Sequence, residues 1–144
     1  MGQQKIHKAI ILGNGPSLNE INFGSLKDRK DIITLASNRI DLLQKNIAWF
    51  PNYYFCFSSN IVKNDWIKSV NNISSNKETT CFIPEIYKKH IKNRDNIRFV
   101  KNVFEHNRHS TIPEDIFDNK FSKTPMKSYS ATVPMFQYCF ELGI

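Results

Sequence analysis

The chain has 144 residues, a formal net charge of +7 and 40% hydrophobic residues, which is room for one compact domain and hardly two. Five glycines, three cysteines and 23% charged residues exclude a collagen repeat, a disulfide scaffold and a wholly disordered chain. A chain of this length buries roughly 68–70% of its unfolded surface, enough for a single core.

The first element is a strand over residues 8–12, where Ala9-Ile10-Ile11-Leu12 runs unbroken into Gly13. Continuous rather than alternating hydrophobicity fits a strand covered on both faces, as in a parallel sheet. The run is too short for a signal h-region or a membrane span. Similar runs follow at 32–36, ending in Ser37-Asn38, and at 53–57, ending in Ser58-Ser59-Asn60. Two more are 79–83, stopping at Pro84, and the shorter 97–100. Helical patterns fall between them. One carries Ile61, Asp65, Trp66 and Val70 behind a capping Asn60; another covers 84–92, with Pro84 at its first position and lysines toward its end. Strands alternating with helices predict an α/β fold, Rossmann-like, with a mostly parallel sheet flanked by helices. Residues 104 to 128 show little periodicity and read as a long loop, functional or mobile. A last helix opens at Ser130 or Thr132, takes Pro134 in its first turn and ends at Gly143. Its large residues point to nearly every side, which predicts that it is well buried.

Cys56, Cys81 and Cys139 lie apart inside apolar runs, with no CxxC, so they read as buried reduced thiols rather than disulfides or zinc ligands. Cytoplasm is the expected compartment, either free or peripheral at the inner membrane surface. The basic residues are dispersed, with no like-charge run reaching five. They read as solvated surface with a general preference for anions, and no specific nucleic acid is expected.

Gly13-Asn14-Gly15-Pro16-Ser17 directly follows the first strand. Ligands of open α/β sheets bind beyond the carboxyl ends of the strands, and glycines let backbone amides approach a phosphate closely. The third glycine of a dinucleotide fingerprint is absent and no Gly-Lys-Ser/Thr follows, so neither that motif nor a P-loop is present. The same residues also describe an ordinary Asn-Gly-Pro turn. Asn38 ends the second strand, where its amide can bridge a donor and an acceptor on a sugar or base, or simply initiate a turn. Ser58, Ser59 and Asn60 end the third strand, and three polar strand ends on one rim predict a convergent pocket. Ser130, Ala131 and Thr132 open the last helix, as an N-cap, an anion site or both. His106 and His109 are spaced to titrate or bind metal, but no third ligand accompanies them. No metal site and no catalytic residue are assigned.

The segment Ile10-Ile11-Leu12-Gly13-Asn14-Gly15-Pro16-Ser17-Leu18-Asn19-Glu20-Ile21 resembles the N-terminal signature of the Campylobacter-type bacterial sialyltransferases. DUF115 proteins, which include pterin diphosphokinase-like enzymes, share its core. Ala36-Ser37-Asn38-Arg39 resembles that family's Cys-Asn segment, whose Asn contacts the donor sugar. Phe55-Cys56-Phe57-Ser58-Ser59 resembles its third-strand segment, with Ser58 in place of a second Asn. Ser130-Ala131-Thr132-Val133-Pro134-Met135 resembles a Thr-Ser-Gly stretch beside the nucleotide, with Thr132 at the glycine position. Leu142-Gly143-Ile144 matches a helix end. The resemblance implies a metal-independent, inverting transferase domain spanning 1–144 that takes CMP-sialic acid as substrate and a glycan as acceptor. It needs no separate cofactor. The family's catalytic histidine lies beyond the last helix, so the chain reads as the nucleotide-binding part of a larger unit, its activity lost if it ends there. A second copy could complete the site, making a homo-oligomer. The pterin-kinase-like alternative needs Mg²⁺ and ATP, for which Asp41, Glu114 and Asp115 are the available carboxylates. A third reading is a basic module that binds nucleotide or RNA without turnover.

Overall fold

Each of the five apolar runs contributes a strand: β1 (Lys8–Leu12), β2 (Ile32–Ser37), β3 (Tyr53–Phe55), β4 (Thr80–Pro84) and β5 (Ile97–Val100). The structure is a computed structural model that describes residues 8–44, 47–58, 66–101, 121 and 130–144. The strands form one sheet in the order β1-β2-β3-β4-β5, with every pairing parallel. This is the expected α/β architecture.

Consecutive parallel strands stepping in one direction through right-handed crossovers must carry their connections on a single face. Those connections are a 3₁₀ turn at Pro16–Glu20, α1 (Gly24–Lys27), α2 (Asp41–Gln44), α3 (Trp66–Ile73) and a second 3₁₀ turn at Glu85–His90. Alternate strand residues divide accordingly, because successive side chains point to opposite faces. Leu12, Ala36, Tyr54, Cys56, Cys81 and Ile83 pack in one cluster with Leu18, Ile40, Val70, Ile73 and Tyr87 from those connections. Ile33, Leu35, Phe55, Phe57 and Phe82 face the other way, into a cluster with Phe121 and with Met135 and Cys139 of α4 (Thr132–Glu141). Both faces are therefore covered, which is why the central strands are largely apolar, while the edge strand β5 exposes Arg98. The second cluster is largely aromatic: the Phe82 ring lies 4.8 Å from Phe55, 4.9 Å from Tyr138 and 5.0 Å from Phe121.

Several boundaries differ from the sequence reading. The third strand ends at Phe55 rather than Phe57, although Cys56 still donates its N–H to the Phe82 carbonyl. Pro84 closes β4 in extended geometry (φ −58°, ψ 135°) instead of opening a helix. The expected helix over 84–92 is the shorter 3₁₀ turn Glu85–His90, in which Tyr87 is the buried residue. So short a segment with one inward anchor gains too little to propagate an α-helix. Of the helix behind Asn60, Trp66–Ile73 is observed; Ser59, Asn60, Ile61 and Asp65 lie outside the described residues.

The last helix is less buried than its composition suggests. Phe136 and Phe140 are 49% and 52% exposed, because a single layer of strands offers α4 one face to pack on. Its N-cap is Ala131, without a side-chain cap, while the Ser130 hydroxyl accepts the Thr132 N–H at 3.2 Å. The C-terminus closes as expected on Gly143, at φ +76°. There the Gly143 N–H meets the Phe140 carbonyl and the Ile144 N–H meets that of Cys139, the paired bonds of a Schellman motif. Cys56, Cys81 and Cys139 are buried and free. Among the described residues no helix is long and apolar enough to cross a membrane.

Candidate functional site

Strand register decides which loops share a rim. Leu12 pairs with Ala36 and Ser37 with Phe55, so Gly13, Asn38 and Ser58 all emerge at the carboxyl edge of three adjacent strands. At Gly13 and Gly15 the backbone is not left-handed, so conformation does not demand glycine. A Cβ at Gly13 would meet nothing within 4 Å, and one at Gly15 only the Ser17 Oγ at 3.6 Å. What the glycines provide is bare backbone facing open space. Gly13 through Ser17 are exposed, anchored by buried Leu18, whose N–H donates to the Gly15 carbonyl at 3.1 Å.

Asn38 differs from its neighbours. It holds a left-handed backbone (φ 48°), which among the described residues only Gly143 shares. Its Oδ1 is buried and has no hydrogen-bond partner among the described residues. Two bonds fix the strained backbone from outside the loop. The Asn38 N–H donates to the Phe55 carbonyl at 3.0 Å, and the Tyr54 hydroxyl donates to the Asn38 carbonyl at 2.6 Å. Complete burial raises the Tyr54 pKa well above its ordinary value, so that donor persists at any physiological pH. A strained residue held in place by its surroundings, with one acceptor left unmet, marks a position shaped for something other than the fold's own bonding.

Arg39, which directly follows Asn38, and Trp66 of α3 carry no site role in the sequence reading. The guanidinium lies 5.5 Å from the centre of the Trp66 ring. Its Nε and Nη2 reach the Asp41 carboxylate at 3.0 and 3.3 Å, and the Ser69 hydroxyl donates to the same carboxylate at 2.6 Å. Both oxygens of Asp41 are thus engaged in positioning Arg39 and in tying α2 to α3. Glu114 and Asp115 lie outside the described residues, as do His106 and His109. Beneath the rim, burial pushes the Cys56 and Cys81 thiols up to about 12, which keeps both protonated and unsuited to nucleophilic work.

The structure therefore brings Gly13–Ser17, Asn38 and Ser58 to one edge. The Ser130–Thr132 segment approaches the sheet from the opposite face, with Ala131 buried in the same cluster as Phe57, the residue before Ser58. Two cavities among the described residues, of about 330 and 610 Å³, lie at the amino edge instead, and none of these rim residues lines either. Comparison with known proteins adds no assignment: no family model, no curated protein and no solved structure matches the chain.

Proposed function

We propose that the carboxyl edge of the sheet binds a CMP-linked nucleotide sugar in the manner of the sialyltransferases whose signature Gly13–Leu18 resembles, without a metal. The observation that carries this reading is the unmatched, buried Oδ1 of Asn38, set by strained backbone at the end of β2. A ribose or sugar hydroxyl is the type of donor that would complete it. The N–H groups of Gly13, Asn14, Gly15 and Ser17 lie on the neighbouring strand end, open to a phosphate, with Ser58 on the next. Ser130–Thr132 would contribute from the far face. Arg39, paired with Asp41, borders the same position. No residue is assigned as catalytic base, so the proposal concerns binding.

The test is thermal denaturation with CMP and with CMP-sialic acid. Stabilisation should reach about 2.7 kcal/mol at a hundredfold excess over Kd, a rise of roughly 5–10 °C for a chain of this size. Asn38→Ala should remove most of that rise. No shift with either nucleotide would overturn the reading.

A further inference from the structure

The amino edge of the sheet carries the larger cavity, about 610 Å³, lined by Lys77 and Ser75 before β4 and by Arg94, Asp95, Asn96 and Arg98 around the start of β5. Three cations face one carboxylate there, yet among the described residues none of the three forms an ion pair. The guanidinium groups are nonetheless held. Arg94 Nη1 donates to the Ser74 Oγ at 3.0 Å and the Asn71 Oδ1 at 3.4 Å. Arg98 Nη1 donates to the Asp95 carbonyl at 2.6 Å and the Ile97 carbonyl at 3.4 Å. All four acceptors are neutral, so position is fixed while charge is left uncompensated. In both side chains Nη1 makes these bonds, and the Nε–Nη2 edge has no protein acceptor among the described residues. That edge is the fork that binds phosphate oxygens in pairs.

The floor is rigid for a separate reason. Asn96 Nδ2 donates to the carbonyls of Ser74, Asn76 and Thr79 at 3.0, 2.9 and 2.7 Å, which ties the loop before β4 to the loop before β5. The volume matches ordinary small-molecule sites, roughly 300–1,000 Å³. Two pinned, unneutralised forks plus a lysine select a ligand of more than one negative charge.

From these features we infer that this cavity is a second binding site, for a small ligand bearing a diphosphate, separate from the nucleotide-sugar rim at the carboxyl edge. The probe is inorganic pyrophosphate, titrated at low ionic strength and followed by calorimetry and by ¹⁵N–¹H correlation spectra. Saturable binding is expected, with shifts in the Arg94 and Arg98 Nε–H signals and in the backbone amides of 93–98. Arg98→Gln with Lys77→Gln, both exposed positions, should weaken binding at least tenfold while leaving the spectrum of the free protein dispersed. Arg98→Lys, which keeps charge but loses the fork, should fall between that double variant and wild type. Absence of saturable binding would overturn the inference. So would shifts confined to 13–17 and 38, or equal affinity in wild type and the double variant. None of these outcomes depends on whether CMP binds the other edge.

Discussion

Asn38→Gly separates the two roles a strained polar residue can have. Three effects decide its stability. Removing the side chain abolishes a buried acceptor with no partner, which relieves about 1–3 kcal/mol. Glycine also accepts φ 48° without the steric penalty of a side chain, worth about 1 kcal/mol. Against these, the added freedom of glycine in the unfolded chain costs about 0.5–1 kcal/mol. The balance is stabilisation by about 1–3.5 kcal/mol, and each kcal/mol raises Tm by about 2–4 °C at this size. The assay is a thermal scan of wild type and variant, each alone and with saturating CMP-sialic acid. The variant alone should melt higher, and the rise produced by ligand should shrink. A variant that melts lower than wild type would refute the reasoning, because Oδ1 would then serve the fold. A variant that melts higher yet keeps the full ligand response would remove Asn38 from the site.

Tyr54→Phe leaves the Asn38 carbonyl without its 2.6 Å donor; a loss of about 1–2 kcal/mol in urea unfolding is expected, together with a weaker nucleotide response. Asn96→Ala removes the amide shared by the Ser74, Asn76 and Thr79 carbonyls, of which that of Asn76 keeps the Thr79 N–H, and should cost about 1–2 kcal/mol by the same measurement. Gly143→Ala forces a side chain to φ +76° at the end of α4, lowering stability by about 1 kcal/mol in a thermal scan. Cys56 and Cys81 titrate near 12 in the folded chain against an ordinary 9. The native state therefore keeps protons that the unfolded chain releases. This contribution is complete below about pH 9 and declines as pH rises toward 12. Urea midpoints at pH 7 and pH 10 should show the decline, and Cys56→Ala should reduce it.

How much of this was legible in the sequence depended on whether the deciding interaction was local. The strands were readable because two-sided burial leaves mainly apolar runs such as Ile32–Ala36, interrupted only by Thr34, and even the edge strand β5 keeps Ile97, Phe99 and Val100 around Arg98. The strand ends were less so: Phe57 is as apolar as Phe55, and only pairing to β4 shows where the ladder stops. The turn at Glu85–His90 looked helical by its proline and lysines, yet a single inward residue, Tyr87, gave a helix nothing to pack. At the rim, Gly13–Ser17, Asn38 and Ser58 were recognisable from position at strand ends. The strain at Asn38 was not, since it depends on Tyr54 and Phe55 from the neighbouring strand. Nor were the pinned guanidinium groups of Arg94 and Arg98, whose acceptors include residues as distant in sequence as Asn71.

The two edges of the sheet treat polar groups in opposite ways, and the contrast bears on where ligands belong. At the amino edge hydrogen bonding is met by the chain itself. Asn52 Oδ1 accepts from both the N–H and the hydroxyl of Thr34, the Thr79 hydroxyl donates to the Pro51 carbonyl, and Asn96 serves three carbonyls. What is unmet there is charge, and a multivalent anion answers charge. At the carboxyl edge the charge of Arg39 is answered by Asp41, and what is unmet is one buried acceptor beside exposed backbone. A hydroxyl-rich ligand with a phosphate answers that. An unmet acceptor destabilises the fold that carries it, and this chain satisfies comparable groups elsewhere with Asn and Thr side chains. Retaining Asn38 in a strained, unsatisfied state therefore argues for a partner that arrives from solution.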